Sequence, residues 1–303
     1  MMKSKPSLKN LARAVLSLLF ISFVISGCSY STTPTYSKAD IPIAIADICK
    51  KEYKLDLVIK QIGSTLWIYM PVEQLLEKSP QKFTEKFTIL SDDVQYKNKT
   101  FELTYNIKPH PDKEKTNEYK YSKDALEKVN NVWMVVRRVI FSTEKSDQTP
   151  QFFYLIVADI RNTFESFGQK FGLQIEQLTF YPDFKKVFYG LLSITEYQHR
   201  SIQESNRFPA LEIIGDTEGR HIQYRDVTME DFLSKQIKQR LELKFEKPEV
   251  GRNVDIDKEI ENLAAYTLKI YDYKDFYNLE MHNLATKNRI ILNRAAVMEK
   301  VLE

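Results

Sequence analysis

Residues 152–160 read FFYLIVADI, an almost unbroken apolar run of strand length, rich in aromatic and β-branched side chains. A strand that is apolar on both faces has to be covered on both faces, so this run demands a central position with packed layers on either side. The chain is long enough to supply them: 303 residues is about two domains' worth by ordinary domain size. With 43% hydrophobic and 28% charged residues, its composition is that of a globular protein.

Other strands announce themselves as hairpins. Leu55–Ile62 (LDLVIKQI) and Thr65–Val72 (TLWIYMPV) flank Gly63-Ser64, the two-residue spacing of a tight turn. Phe87–Leu90 and Thr100–Ile107 read as a second pair, Leu173–Phe180 and Gly190–Tyr197 as further strands, and Ala210–Ile214 with His221–Arg225 as a hairpin around Gly215–Gly219. Helices are expected from Ile41, over the short stretch Val72–Lys78, after Ser122, over Pro182–Tyr189, and from Thr228, whose cap is followed by a carboxylate three residues on, to about Phe245. The fold class is therefore α+β: antiparallel β-hairpins packed with helices.

Between the second strand pair and the Ser122 helix, residues 108–121 (KPHPDKEKTNEYKY) carry two prolines and many charges, which predicts an exposed loop or linker. It divides the body into α+β subdomains at 41–107 and 122–250. Residues 251–303 form a third segment. Steps of four and three from Ile256 to Leu302 land on apolar residues except at Thr267, Lys274 and Asn288. That spacing predicts a mainly helical C-terminal segment, either one long helix offering residues 252–303 to a protein partner or a second copy, or a helical hairpin on the body. The aromatic excess at Tyr266, Tyr271, Tyr273, Phe276 and Tyr277 favours packing on the body.

Chemistry is thinly signalled. The eight glycines assemble neither GxGxxG nor GxxxxGK[ST], so no phosphate-cradling loop and no cofactor is indicated. His110, His199, His221 and His282 form no metal-ligand spacing, and no GxSxG elbow occurs, so neither a metal nor a catalytic residue is assigned. Asp159 and Arg161, at the end of the central strand, read as a structural ion pair, Arg137 and Arg138 as partners of a helix C-terminus, and Asp216 with Glu218 as solvated turn residues. Cys49, in an apolar stretch, reads as a buried, inert thiol.

The N-terminus is more specific. Lys3, Lys5, Lys9 and Arg13 precede the apolar run Ala14–Ile25, which is too short to cross a bilayer core and has the layout of a signal peptide. It ends in Ile25-Ser26-Gly27-Cys28, and in these first 28 residues the chain resembles a bacterial lipoprotein precursor. The resemblance implies cleavage between Gly27 and Cys28, a thioether-linked diacylglycerol on the Cys28 thiol, and a further acyl group such as palmitate on the new amine. Residues 28–40, polar and containing Pro34, would then be a flexible tether. Loss of the leader's four basic residues leaves a nearly neutral chain, which excludes an electrostatic footprint for nucleic acid. In many such lipoproteins an Asp directly after the acylated cysteine implies inner-membrane retention; Ser29 stands there in this chain, so the resemblance implies the inner leaflet of an outer membrane, or the outer surface of a single-membrane cell. These features predict a non-catalytic, lipid-anchored interaction or assembly component of the cell envelope. The alternative is a periplasmic ligand-binding protein or hydrolase with a cleft between its two α+β halves.

Overall fold

The computed structural model describes residues 40–142, 149–166, 168–246, 251 and 253–300. Gly27, Cys28 and most of the tether lie outside them. The fold is α+β, with eight helices and two sheets among the described residues.

Helix α1 (Ile41–Tyr53) leads into the hairpin β1 (Val58–Ile62) and β2 (Thr65–Val72), with Gly63 at φ +57° in the turn. Strands β3 (Leu76–Lys97) and β4 (Thr100–Tyr121) form a hairpin of 22 residues per strand. It is closed by Asn98 and Lys99 with φ +50° and +59°, the left-handed pair that matches strand twist. Helix α2 (Lys123–Phe141) follows, capped by Ser122, whose hydroxyl accepts from Ala125 N–H. Then come β5 (Phe152–Asp159), β6 (Phe164–Ser166) and β7 (Gln169–Phe180), helices α3 (Tyr181–Phe188) and α4 (Ile194–Arg200), β8 (Ile202–Pro209) and the short α5 (Ala210–Ile213). The chain ends in α6 (Met229–Glu246), α7 (Ile256–Ile270), β9 (Asn278–Asn283), β10 (Arg289–Asn293) and α8 (Arg294–Glu299).

The first sheet runs β1-β2-β5-β7, with β6 and β8 both paired to β7; the second runs β10-β9-β4-β3. Every residue of β5 is buried, as its composition requires. Alternate side chains serve two cores. Leu66, Ile68, Phe153, Leu155 and Val157 pack under α1 and α2, while Trp67, Tyr69, Phe152, Tyr154 and Ile156 face α6, α7 and the second sheet. Helix α6 joins the sheets: Phe232 touches Phe152 and Phe180 at one end, and Phe245 meets Phe87 at the other.

Several sequence expectations are corrected. Residues 108–121 are exposed but belong to β4. Their charges are cross-strand partners, Lys82 with Glu114, Lys115 with Glu85 and Lys120 with Glu77, and Pro111 falls where the register slips between Glu85 and Phe87, so it interrupts no ladder. Nor do they separate two bodies, because β2 and β5 from either side pair in parallel over Thr65↔Phe152 to Val72↔Asp159.

Among the described residues the C-terminal segment forms no single long helix either. Helix α7 stops at Ile270, and β9 then pairs in parallel with β4, its Leu279 and Met281 buried at a spacing of two. Asn288, a seam position in the heptad reading, instead sits in the β9–β10 connection and donates to Asp257. Of the aromatic residues expected to pack on the body, Tyr271 lies edge-on to Phe180 and Phe232 and Phe276 to Phe101, whereas Tyr277 is exposed.

Smaller differences have local causes. The Val72–Lys78 stretch is no helix, because β2 runs to Val72, the buried Asp159 carboxylate takes Leu75 N–H and β3 starts at Leu76. Residues 190–197 are not a strand, because Ser193 caps α4 by accepting from Glu196 N–H. Residues 210–225 make a helical turn and a loop, because Asp216 collects the N–H groups that a hairpin ladder would use.

Candidate binding groove

A concavity of about 910 Å³ lies where the open end of the β3–β4 hairpin crosses the first sheet. Its floor is one face of β7 and β8: Phe171, Leu173 and Ile175 beside Ser205 and Arg207. One wall is the hairpin's base, Leu76–Lys78 with Asn117–Tyr121, and the other is residues 162–165. Aromatic rings line it in sequence. Tyr119 meets Phe164 edge-on at 5.7 Å, Phe164 stacks on Phe171 at 5.9 Å, and the Arg207 guanidinium lies over Phe171 at 4.7 Å. An apolar recess of about 100 Å³ extends it past Tyr121 and Ile175 under α2, between Leu126, Val129, Leu155 and Val157.

Asp159 builds the groove's closed end. It is fully buried and does not pair with Arg161 as expected; its oxygens accept from the N–H groups of Leu75, Arg161 and Asn162 and from the Asn162 amide. The Arg161 guanidinium reaches Glu73 instead, at 2.5 Å. This carboxylate therefore fixes the exit of β5 against the bend that launches β3, and Ser122 Oγ, donating to Gln74 O, ties in the start of α2.

A second polar constellation lies on the other face of the first sheet. His221 sits between Asp216 and Gln174, each ring nitrogen 2.6 Å from an oxygen. Gln174 donates on to Glu176, which also accepts from Asn206 and from Tyr154 OH. Burial pushes the Asp216 carboxyl up, but the bonds from the His221 ring and the N–H groups of Glu218, His221 and Arg220 outweigh it and hold the group below its ordinary range. Asp216 is thus an organising residue, not the solvated one its sequence suggests. With both nitrogens of His221 engaged, this chain of bonds ties the 214–227 loop to the sheet beside an adjoining cavity of about 280 Å³.

Cys49 is buried, as expected, and desolvation pushes its thiol up to about 11, which keeps it protonated and unreactive. Arg138 forms a two-point bond to Glu52, whereas Arg137 lies over the Phe188 ring. No group of three or more His, Cys, Asp or Glu suited to a metal ion occurs among the described residues. Among them, too, no helix is long and apolar enough to cross a membrane.

Fold and groove together define an α+β protein with an open, aromatic and mixed-charge cleft on one end of its main sheet. No family model, curated protein or solved structure matches the chain.

Proposed function

We propose that this chain is a lipid-anchored cell-envelope protein whose folded body binds a partner without transforming it. The observation that carries the reading is the order of its N-terminal parts: basic residues, a short apolar run, Ile25-Ser26-Gly27-Cys28, then a polar stretch leading into α1. Two or three acyl chains make such an attachment stable, where a single chain binds only marginally. The groove supports the second half of the proposal. It offers stacked rings, a guanidinium and mixed charges, the equipment of a recognition surface, and because residues 253–300 fold into the body, the groove is proposed as the partner surface in place of the C-terminal segment.

Membrane fractionation of the wild type and Cys28→Ala tests the address, with the wild type expected in the membrane and the variant displaced from it. A photoreactive amino acid at Tyr119 tests the surface. It is expected to cross-link one discrete envelope protein that the same probe at Lys97 does not capture. The alternative, a periplasmic ligand-binding protein or hydrolase, rests on the same 910 Å³ of space. It would be favoured if small-molecule binding protected Tyr119 from reaction while no protein cross-linked there.

A further inference from the structure

One surface patch is used by neither the groove nor the buried polar chain. At the end of α3 the chain reverses at Gly190, with φ +69°, and two backbone bonds, Gly190 N–H to Val187 O at 3.0 Å and Leu191 N–H to Lys186 O at 2.8 Å, fix the tip. The result is a held-out apolar cluster: Leu191 is 76% exposed, Ile194 69%, Tyr189 58%, and Phe188 and, from α2, Met134 46% each. Scattered exposed apolar residues are ordinary, but a contiguous group on a fixed turn marks a contact surface.

Among the described residues, the unpaired charges around this cluster are basic. Lys185 and Lys186 are exposed on α3, and the Arg137 guanidinium lies 5.1 Å from the Phe188 ring centre. Among the described residues, the carboxylates nearby are already engaged. Asp183 is buried and held by Arg200 and Tyr271, with Lys186 3.6 Å away, and Glu52 is taken by Arg138. Arg137 and Lys185 have no carboxylate partner among the described residues. Between Tyr53, Met134, Phe141 and Phe188 the two arginines line a shallow hollow of about 400 Å³. Aromatic and aliphatic side chains ringed by lysine and arginine match an anionic lipid interface, whose acyl boundary takes the rings while its phosphates meet the cations.

Position agrees. The patch sits at the Phe152 end of β5, where Phe184 packs on Phe153 and Phe141 on Phe188, whereas the groove sits at the Asp159 end. Eight residues of strand separate them by about 25 Å. Tyr53 at the end of α1 lines the hollow, α1 is about 20 Å long, and residues 29–40 span about 40 Å when extended, so an anchor at Cys28 reaches the same surface.

We infer that the α3–α4 turn, with Arg137, Lys185 and Lys186, is a second membrane contact that docks on an anionic phospholipid surface and turns the groove away from it. Its orientation relative to the groove rests on the anchoring proposal; its affinity for lipid does not.

The full chain is reconstituted in phosphatidylcholine vesicles with and without phosphatidylglycerol, carrying an environment-sensitive label on Leu191→Cys or, as control, Thr163→Cys at the groove. Quenching by lipids that bear a shallow spin label is read at each position. The expected result is quenching at 191 at least about threefold above that at 163 in the anionic vesicles, since each basic group near such a surface contributes about fivefold in partitioning. That excess should be lost on reversing Arg137, Lys185 and Lys186 to Glu, and reduced in vesicles without phosphatidylglycerol. Equal quenching at 191 and 163, or quenching indifferent to both lipid charge and the reversals, overturns the inference. So does self-quenching between labels at 191 that dilution in lipid leaves unchanged, which would assign the patch to a second copy. Both sites are exposed, so near-UV circular dichroism suffices to confirm that the variants fold. Acylation is read separately, from the mass of the Cys28 peptide, so loss of the anchor and loss of the docking face are told apart.

Discussion

Two residues show how single positions hold this fold. At Gly63 an added Cβ would come within 2.1 Å of Asp226 Oδ2. Asp226 cannot retreat, because it accepts from Ser64 N–H, Ser64 Oγ and Thr65 Oγ1 and so clamps the β1–β2 turn to the loop before α6. Gly63→Ala therefore combines a positive φ with a steric conflict. It is expected to cost about 2 kcal/mol, read as a lower urea midpoint at unchanged slope. Asp159→Ala removes the acceptor for three backbone N–H groups at a buried site. The expected loss is about 2–4 kcal/mol, with Leu75 and Asn162 amides among the first to gain hydrogen exchange. Neither role can be seen in sequence. Asp226 lies more than 160 positions from the turn it clamps, and Asp159 looks like half of a local pair with Arg161 until the backbone it serves is known.

Elements were legible where their cause is local. The covered run at β5, the Gly63-Ser64 turn and the caps at Ser122 and Thr228 each act within a few residues, and each element formed where expected. The base of the hairpin was illegible because its side chains are polar on both faces, so its strand has no alternation to read. In the C-terminal segment Tyr277, Met281 and Leu284 fit a heptad, but Leu279 and Met281 also fit a strand, and only the free edge of β4 decides between them. The groove was illegible for a related reason: its walls come from residues 76–81, 117–121, 162–165 and 205–207, brought together only by the sheet.

The upper hairpin also carries a pH dependence. Burial, and then the Asp92 carboxylate beside it, push Glu242 of α6 up to about 7; Lys238 opposes this, and the neighbouring Glu246 is raised too. Glu242 thus holds its proton more tightly folded than unfolded. Its stabilising contribution is complete below its ordinary value of 4.5 and is lost as pH rises through about 7. Its side chain is 39% exposed, so solvent screening reduces the effect to about 1 kcal/mol. Stability is expected to fall between pH 5 and 8, and Glu242→Gln to flatten that slope while raising stability at pH 8, as measured by urea titration.

For the whole molecule, the proposed membrane contact and the proposed recognition surface lie at opposite ends of one sheet. Tyr119→Ala and Arg207→Glu change groove lining, half-buried at Tyr119 and exposed at Arg207, and replace no residue of either buried core. They are expected to abolish partner cross-linking while shifting the thermal midpoint by no more than about 2 °C. The measurement that bears most directly on the proposal is the intact mass of the N-terminal peptide from protein purified out of membranes. A chain beginning at Cys28 with a diacylglycerol thioether, and a further acyl group on its amine, is the expected result. An unmodified Cys28, or a peptide still carrying residues 1–27, would contradict it.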